Sequence, residues 1–309
     1  TKLCALRAFV VDLVAMTLHW SRKGFRAACM LVLLIIPVVS LAEQEEELDL
    51  KTADLGEIDL ALNNPLTSIW SLTFQNNTSI KTGDAVDGSE TSNTLFFQPF
   101  MPFELGKEKD VMMTLRPVFP LVTQPIFDTS NSRNSSGYET GLGDIQLLTL
   151  FGPNKGTGFV WGAGGTFVFP SATDDVLGQE KWQVGPSLML FYMGKPWVGG
   201  ILAQHWESYA GDSDRPDVSK SELQYVLRRS LPNAMSVGFG PSITYDWEAD
   251  SKNALTFPVG LGVTKTTRWG TKPFKLRAEI QYSIIKPEDY GTEWNLRLQI
   301  TPVIDSPMK

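Results

Sequence analysis

One stretch of the chain alternates two kinds of residue with a period of two. In MSVGFGPSITYDWEAD, residues 235–250, one phase carries mostly large apolar side chains and the other carries mainly serine, glycine, threonine and aspartate. Successive side chains of a β-strand point to opposite faces of the sheet. The segment therefore predicts a strand that separates an apolar environment from a polar one.

Twelve strand-like runs are predicted after residue 65, with no competing helical periodicity. They lie at roughly 66–82, 93–105, 111–124, 142–152, 157–170, 180–193, 196–208, 219–230, 234–247, 254–267, 273–286 and 292–304. Most exceed the roughly 5–6 residues of a soluble strand and suffice for a tilted membrane strand, which needs about 9–11. Length and alternation together predict an all-β chain, a transmembrane antiparallel β-barrel of about 12 strands that follows a cleaved signal peptide.

The connections between these runs differ systematically in length and charge. Those after even-numbered runs are short and often basic, namely GKEKD, GPNKG, MGKP, SLPN and RWGTK. Those after odd-numbered runs are longer and acidic. Short turns on one side and long loops on the other are typical of an outer-membrane barrel with periplasmic termini. The predicted location is the bacterial outer membrane.

The first 42 residues resemble a signal peptide with an upstream extension. Arg22, Lys23 and Arg26 precede the apolar run AACMLVLLIIPVVSLA, which ends in small residues of the kind a signal peptidase reads. The run is shorter than the about 20 residues that span a bilayer. We expect Met16 to be the start of the signal peptide, and a retained anchor helix is the alternative.

Removing residues 1–42 changes the charge and the cysteine content. Those residues hold five basic side chains and one acidic one, so the formal net charge falls from −7 to −11. Both cysteines leave with them, which excludes disulfides and thiolate metal sites from the mature chain. An acidic surface without basic clusters argues against nucleic acid as a partner. We expect an acidic periplasmic leader at 43–65, one barrel domain at 66–305, and no cofactor.

Charged residues on the polar phase of the strands form the candidate site. Arg or Lys on the lipid face at the midplane costs about 2–4 kcal/mol, so the polar phase should face the lumen. The predicted pore-lining residues are Arg116, His205, Glu207, Arg228, Arg277, Glu279 and Arg297. Either these charges filter solutes at a constriction, or they pair with one another and fill a narrow closed barrel. Inward glycines, among them Gly238 and Gly262, favour the open path.

A set of apolar residues shares the inward phase with these charges. It comprises Phe96, Phe100, Met112, Val118, Met189 and Phe191. Two interpretations are open. The set forms an apolar slide for aromatic solutes, or it packs against the leader if the leader folds inside the barrel.

His205 is the only histidine after residue 42 and the one candidate for catalysis. The pattern of its run places His205 and Glu207 toward the lumen and Trp206 toward lipid. A lipid-acting hydrolase needs a serine and a histidine together on the lipid face. We therefore predict no catalytic residues and no enzyme.

Three aspartates, Asp212, Asp214 and Asp217, crowd one predicted loop. Their spacing lacks the central glycine and the closing glutamate of a calcium-binding EF-hand loop. We predict a solvated acidic loop and no metal site. The alternative is a loop that binds divalent ions among lipopolysaccharide head groups.

Seven prolines fall inside the predicted strands, where each removes a donor from the ladder. They are Pro99, Pro117, Pro120, Pro186, Pro241, Pro258 and Pro302. We expect bulges or bends of the barrel wall at these points.

Several motifs occur in an order that resembles one family of bacterial outer-membrane proteins. The motifs are NNPLTSIWSLTFQNNT, FQPFMPF, GLGDI, FPSATDDVLGQEKWQVGP, YAGDSDRPDVS, DWEADSKN and PVGLGVTK. Members of the family are described as transporters, as proteins of the phenol meta-degradation pathway, and as neuromedin-U-like. The resemblance covers roughly residues 63–300. It implies a β-barrel that passes small aromatic or apolar compounds, and it supplies no functional residues.

Together these observations predict a passive outer-membrane channel for small solutes, including aromatic or hydrophobic compounds. The expected partners are the solute, outer-membrane lipid and lipopolysaccharide. The alternatives are a non-conducting structural or adhesive barrel, and, third, a lipid-acting envelope enzyme.

Overall fold

A computed structural model describes residues 49–127 and 133–306. The predicted signal peptide lies outside this part of the chain. The elements are one helix, α1 (Leu55–Ala61), and the strands β1 (Ser71–Thr82), β2 (Glu90–Leu105), β3 (Val111–Ile126), β4 (Gly137–Leu142), β5 (Ile145–Pro153), β6 (Gly158–Phe169), β7 (Lys181–Met193), β8 (Trp197–Gly211), β9 (Ser219–Leu231), β10 (Met235–Phe239), β11 (Ser242–Asp246), β12 (Leu255–Trp269), β13 (Lys272–Ile285) and β14 (Gly291–Pro302). Within these residues no helix is long and apolar enough to cross a membrane.

The strands form one closed antiparallel barrel. Two wall strands are interrupted, since β4 and β5 both pair with β3, and β10 and β11 both pair with β9. The wall therefore has twelve strands, and the ladder between β1 and β14 closes it. Closure removes the sheet edges, whose unpaired backbone groups a hydrocarbon layer does not tolerate. The predicted fold is confirmed.

The outer surface of the barrel is apolar. Leu188, Leu261 and Ile280 are more than half exposed although they lie in the middle of long strands. Exposed aromatic residues lie at or near strand ends, among them Trp182, Trp197, Tyr209, Trp269 and Trp294. An apolar band between aromatic girdles is the surface that a bilayer selects. The chain is an outer-membrane protein.

The lengths of the connections follow the prediction. The turns on one end of the barrel span 106–110, 154–157, 194–196, 232–234 and 270–271. The connections on the other end span 83–89, 127–136, 170–180, 212–218, 247–254 and 286–290. By the usual asymmetry of these barrels the short turns are periplasmic and the long loops are extracellular.

Most in-strand prolines coincide with interruptions of the backbone ladder. Pro99 and Pro117 lie opposite each other where β2 and β3 stop pairing. Pro186 lies in a break between β7 and β8, and Pro241 separates β10 from β11. Pro258 follows a register shift between β12 and β13. The remaining two lie where β3 changes partner, at Pro120, and at the end of β14, at Pro302. Breaks or register shifts of the ladder thus accompany five of the seven prolines, whereas Pro120 stays paired with Phe96 and Pro302 with Phe274.

Candidate functional site

Five of the seven predicted pore-lining residues face the lumen. Arg228 lies opposite Gly238 on the neighbouring strand, and Glu279 lies opposite Gly262 on one side and Arg297 on the other. These residues are buried even though their strands are exposed to lipid on the opposite face. Arg116 and Arg277 lie on the same inward phase of β3 and β13.

The prediction for His205 and Glu207 is wrong, because β8 has the opposite orientation. Trp206 is the inward residue, since it is buried and its Nε1 donates to Thr166 Oγ1 at 3.0 Å. His205 lies on the outward face, where its Nδ1 is 3.0 Å from Ser221 Oγ on β9. Its Nε2 lies 3.9 Å from Glu207 Oε2.

The cause of this error is the composition of the lumen wall. On β8 the inward positions Val198 and Leu202 are apolar, so polarity does not separate the two faces there. Inward residues of the neighbouring strands form one apolar cluster with Leu66, which precedes β1: Leu66, Met112, Leu148, Leu150, Val160, Met189, Phe191, Met193, Val198 and Leu202. We call this set the apolar wall. One side of the lumen is therefore hydrophobic.

The leader, here residues 49–70, folds into the periplasmic end of the barrel. On one side Arg268 Nη2 donates to the carbonyl oxygens of Leu50 at 3.1 Å and Ala53 at 2.6 Å. On the far side Asn64 Nδ2 donates to the carbonyl oxygen of Lys155, in a short turn, at 3.0 Å. The leader thus crosses the periplasmic mouth from β12 to the turn between β5 and β6.

One buried ion pair anchors the leader to the wall. Asp59 Oδ1 on α1 lies 3.1 Å from Lys275 Nζ and accepts from Thr266 Oγ1 at 2.8 Å. Lys275 Nζ also donates to Asn63 Oδ1 at 2.6 Å. Burial alone would raise the pKa of Asp59, but the Lys275 ammonium and these hydrogen bonds outweigh it, and the pKa lies below its usual value. Asp59 is therefore a charged anchor at neutral pH.

Leu66 anchors the other end of the leader in the apolar wall. It is fully buried and packs beside Met112 and Leu150. Glycine at 162 makes room for it, because an added Cβ there would lie 3.3 Å from Leu66 Cδ1. Of the six predicted inward apolar residues, Met112, Met189 and Phe191 share the apolar wall with Leu66, and the other three lie outside it. The burial of Leu66 also explains why β1 begins at Ser71 rather than at the predicted residue 66.

The inward charges, together with Asp59, form what we call the lumen charge cluster. Its members are Asp59, Arg116, Glu222, Arg228, Lys275, Arg277, Glu279 and Arg297. At its centre the Glu279 carboxylate is hydrogen-bonded by Arg277 and by Gln281 Nε2, and its Oε1 lies 3.8 Å from Arg297 Nη1. Part of the predicted self-pairing of charges is therefore present.

Two arginines of the cluster have no such partner. Arg228 is 6% exposed, and within the described residues its side chain makes no direct hydrogen bond or ion pair, although the Glu279 and Asp59 carboxylates act on it through space. Arg116 likewise makes no direct ion pair there, and its buried Nε has no hydrogen-bond partner, but the Glu222 carboxylate acts on it through space. The space between Arg228, Arg277 and the small residues Ser236, Gly238 and Gly262 is too narrow to hold a water molecule.

Sequence reasoning missed Asp59, the acid that anchors the leader. The sequence feature that could have identified Asp59 is the imbalance between inward basic and inward acidic residues. The strands place five basic residues inward in this region against two acids, Glu222 and Glu279. A buried cation is tolerated only with a partner. A search for that partner outside the strands leads to Asp59, an acid between the apolar residues Ile58 and Leu60 of α1.

The wall has its widest break next to the cluster. β10 and β12 pair up to Gly238 and Gly262, and β11 and β12 pair again only from Thr244 and Thr256. Residues 239–243 and 257–261 face each other without a ladder. In this break a backbone carbonyl group accepts hydrogen bonds from side chains instead of from a neighbouring strand. Arg297 Nη1 and Gln224 Nε2 both donate to the Gly240 oxygen, at 2.9 and 3.2 Å.

The acidic loop after β8 is held mainly by contacts within the protein. Asp212 and Asp214 are exposed, and Asp217 Oδ1 lies 3.4 Å from Lys181 Nζ. In the part of the chain that the structure describes, no three acidic, histidine or cysteine side chains are grouped to hold a metal ion.

With this geometry the chain falls into the class of outer-membrane β-barrels, and comparisons with known proteins agree at the level of fold. No family model and no curated protein matches the chain. The barrel is similar to the crystal structure of an outer membrane channel from Pseudomonas putida F1, with a TM-score of 0.57, 14% identity, and coverage of 76% of this chain and 94% of that chain. At that identity the likeness shows the fold alone.

Two further structures have TM-scores too low to carry an argument. The outer membrane phospholipase A from Escherichia coli has a TM-score of 0.41 and 12% identity, over 82% of this chain and 100% of that one. The β domain of the Bordetella autotransporter BrkA has a TM-score of 0.41 and 8% identity, over 77% and 100%.

Proposed function

We propose that this protein is a passive outer-membrane channel for small solutes with an apolar part. The observation that carries the proposal is the way in which the periplasmic mouth is closed. The leader lies across it without strand pairing, and it is held by one ion pair, a few hydrogen bonds and the buried side chains of Ile58, Leu66 and Ile69. A segment held this way can move aside while the barrel stays closed on itself. The related fold in Pseudomonas putida belongs to a protein described as a channel, which supports the proposal.

The break between β11 and β12 offers a second way out of the lumen. Its outward residues, among them Ile243 and Val259, would bring an apolar solute from the lumen into the bilayer without passage through the closed mouth. The apolar wall supports the same solute class, because leucine and methionine side chains would not be expected to line a water-filled pore for polar solutes.

Planar-bilayer recordings test the proposal. We expect the full chain to give small conductance steps, and deletion of residues 49–65 to enlarge them several-fold, because the mouth loses its cover. The deletion variant must first keep the mobility shift between unheated and boiled samples that marks a folded barrel. A folded deletion variant without conductance and without solute flux into liposomes would instead favour the non-conducting barrel.

A second candidate function rests on the outward contact between His205 and Ser221. A serine and a histidine 3.0 Å apart on the lipid face, with Glu207 beyond, are the groups that ester hydrolysis requires. Two features oppose it, because Ser221 is 7% exposed and its Oγ already accepts the Trp247 indole N–H at 2.9 Å. Ester hydrolysis lost in Ser221→Ala, but kept in Ser219→Ala on the same strand, would establish the enzyme. We expect neither variant to differ from the wild type.

A further inference from the structure

Lys265 lies on the lipid-facing side of the barrel, where a charged side chain is unfavourable unless its head group reaches the interface. On β12 it is the cross-strand neighbour of Met235 and Leu276, which are both exposed on the outer face. Its Nζ donates to the carbonyl oxygen of Asn233, in the periplasmic turn between β9 and β10. That bond uses one of the three N–H donors of the ammonium group. The ammonium group therefore lies at the level of the periplasmic head groups and can bind a second group there.

An open apolar groove of about 470 Å³ begins at Lys265 and crosses the outer face of the barrel. Its outward lining includes two adjacent rows of cross-strand neighbours. One row contains Lys265, Leu276, Ile300 and Phe74, and the row beside it contains Ala278 and Leu298. With strands about 4.8 Å apart, the groove from Lys265 on β12 to Leu95 on β2 is roughly 19 Å long, a length that a fatty acyl chain can fill.

Ala278 forms the floor of this groove. Its cross-strand neighbours on the outer face, Val263 and Leu298, have larger side chains that rise on both sides of it. Asn76, toward the far end, needs no polar occupant, because its side-chain amide and that of Asn93 donate to each other at 3.0 and 3.1 Å. The groove therefore offers apolar contacts along its length and one cation at its periplasmic end.

The charges around the periplasmic end of the groove have one sign. Lys272 pairs with the exposed Trp269 on the outer face, and Arg229 lies outward beside Trp197. The periplasmic halves of β9, β12, β13 and β14, together with β10, contain a single carboxylate, Glu279, which faces the lumen. No acid of these strands neutralises the outward cations. They attract an anionic group and repel a second copy of this chain, whose symmetric docking would bring like charges together.

We propose that the groove binds one phospholipid of the periplasmic leaflet whose head group has a net negative charge. Its phosphate binds the Lys265 ammonium through a charge-assisted hydrogen bond. Its head group lies near Lys272, since basic residues beside a membrane attract anionic lipid. One acyl chain lies along the groove over Ala278. This site does not depend on whether the lumen conducts.

Native mass spectrometry of the detergent-folded full chain tests the inference, with phosphatidylglycerol as the anionic probe and phosphatidylcholine of the same acyl chains as the zwitterionic one. The wild type should retain one phosphatidylglycerol and bind it about tenfold more tightly than phosphatidylcholine. Lys265→Gln should weaken phosphatidylglycerol about fivefold and lower its preference over phosphatidylcholine. Lys155→Gln is the matched control, because it removes the same charge from the turn between β5 and β6, on the opposite side of the barrel.

A second pair of variants tests the groove itself. Ala278→Leu fills the floor and should weaken both lipids about fivefold or more. Ala203→Leu should leave binding unchanged, because Ala203 lies on the outer face of β8, beside the exposed Leu188 and away from the groove. Both variants place leucine on a lipid-facing surface, and the mobility shift between unheated and boiled samples shows that they fold.

Four outcomes would overturn the inference. One is equal affinity of the wild type for the two lipids, a comparison that needs no variant to fold. Equal weakening by Lys265→Gln and Lys155→Gln would mean that total charge rather than the site matters. Unchanged binding in Ala278→Leu would place the lipid elsewhere. A wild-type dimer that Ala278→Leu dissociates would assign the groove to a second copy of the chain.

Discussion

At the scale of single residues, Asp59 connects the leader to the barrel. Asp59→Asn would leave the Lys275 ammonium buried without a counterion, a change that costs about 3–5 kcal/mol in comparable pairs. We expect the leader to detach, so that chymotrypsin cuts within residues 55–66 about tenfold faster or more. Glu57→Gln is the matched control, because Glu57 lies exposed on the same helix. Equal cleavage of both variants would show that the ion pair does not hold the leader.

The same residue predicts how docking depends on pH. The pKa of Asp59 in the docked leader lies below the ordinary aspartate value of 3.8. A depressed pKa gives stability that is fully present above the undocked value and is lost as the pH falls through the docked one. With pepsin, which is active in acid and also cuts at leucine, leader cleavage in the wild type should therefore rise only below a pH of about 3.8, and Asp59→Asn should abolish that rise.

Single residues also show where sequence reasoning stops. Alternation located Arg228, Arg277 and Glu279 correctly, because most inward positions of their strands are polar and most outward positions, such as Leu227 and Leu276, are apolar. It failed at His205 since the inward face of β8 is apolar as well. When both faces of a strand are apolar, the pairing with neighbouring strands decides which face points into the lumen. That pairing cannot be read directly from a single sequence.

At the scale of elements, the break between β11 and β12 is the least paired part of the wall. We expect amide hydrogens of residues 259–261 to exchange with deuterium faster than those of 263–265, which pair with β10 on one side and β13 on the other. Pro258→Val restores a donor and should slow that exchange. Pro99→Val, in the break of β2, serves as the control and should leave it unchanged. Uniform exchange along β12 would mean that the break does not open.

The elements themselves were largely predictable. Strand number, turn lengths and the lipid-facing phase follow from alternation and from glycine and proline, which are local signals. The prolines even mark the breaks, as Pro241 and Pro258 do. The inserted leader was not predictable in the same way, because its placement depends on Asp59 meeting Lys275 more than 200 residues later in the chain.

At the scale of the whole molecule, the charges are sorted along the barrel axis. The long loops carry exposed acids such as Asp175, Asp212 and Asp214, while the lumen holds an excess of arginine. An organic anion that approaches from outside is therefore repelled by the loops before it reaches the lumen. The repulsion acts through solvent, where the Debye length falls from about 30 Å at 0.01 M salt to about 10 Å at 0.1 M, whereas buried charges are screened much less.

Uptake should therefore respond to salt in a direction that depends on the charge of the solute. In Gram-negative cells that express the protein, benzoate uptake should rise between about 0.01 and 0.1 M salt, and benzamide uptake should not change. Replacing Asp175, Asp212 and Asp214 by asparagine should raise benzoate uptake at low salt and flatten the response, since the repelling charges are gone while an asparagine oxygen at 212 still accepts the backbone N–H of residue 214. Cells without the protein give the contribution of lipopolysaccharide. A benzoate response that persists unchanged in the asparagine variant would place the barrier elsewhere than in these loops.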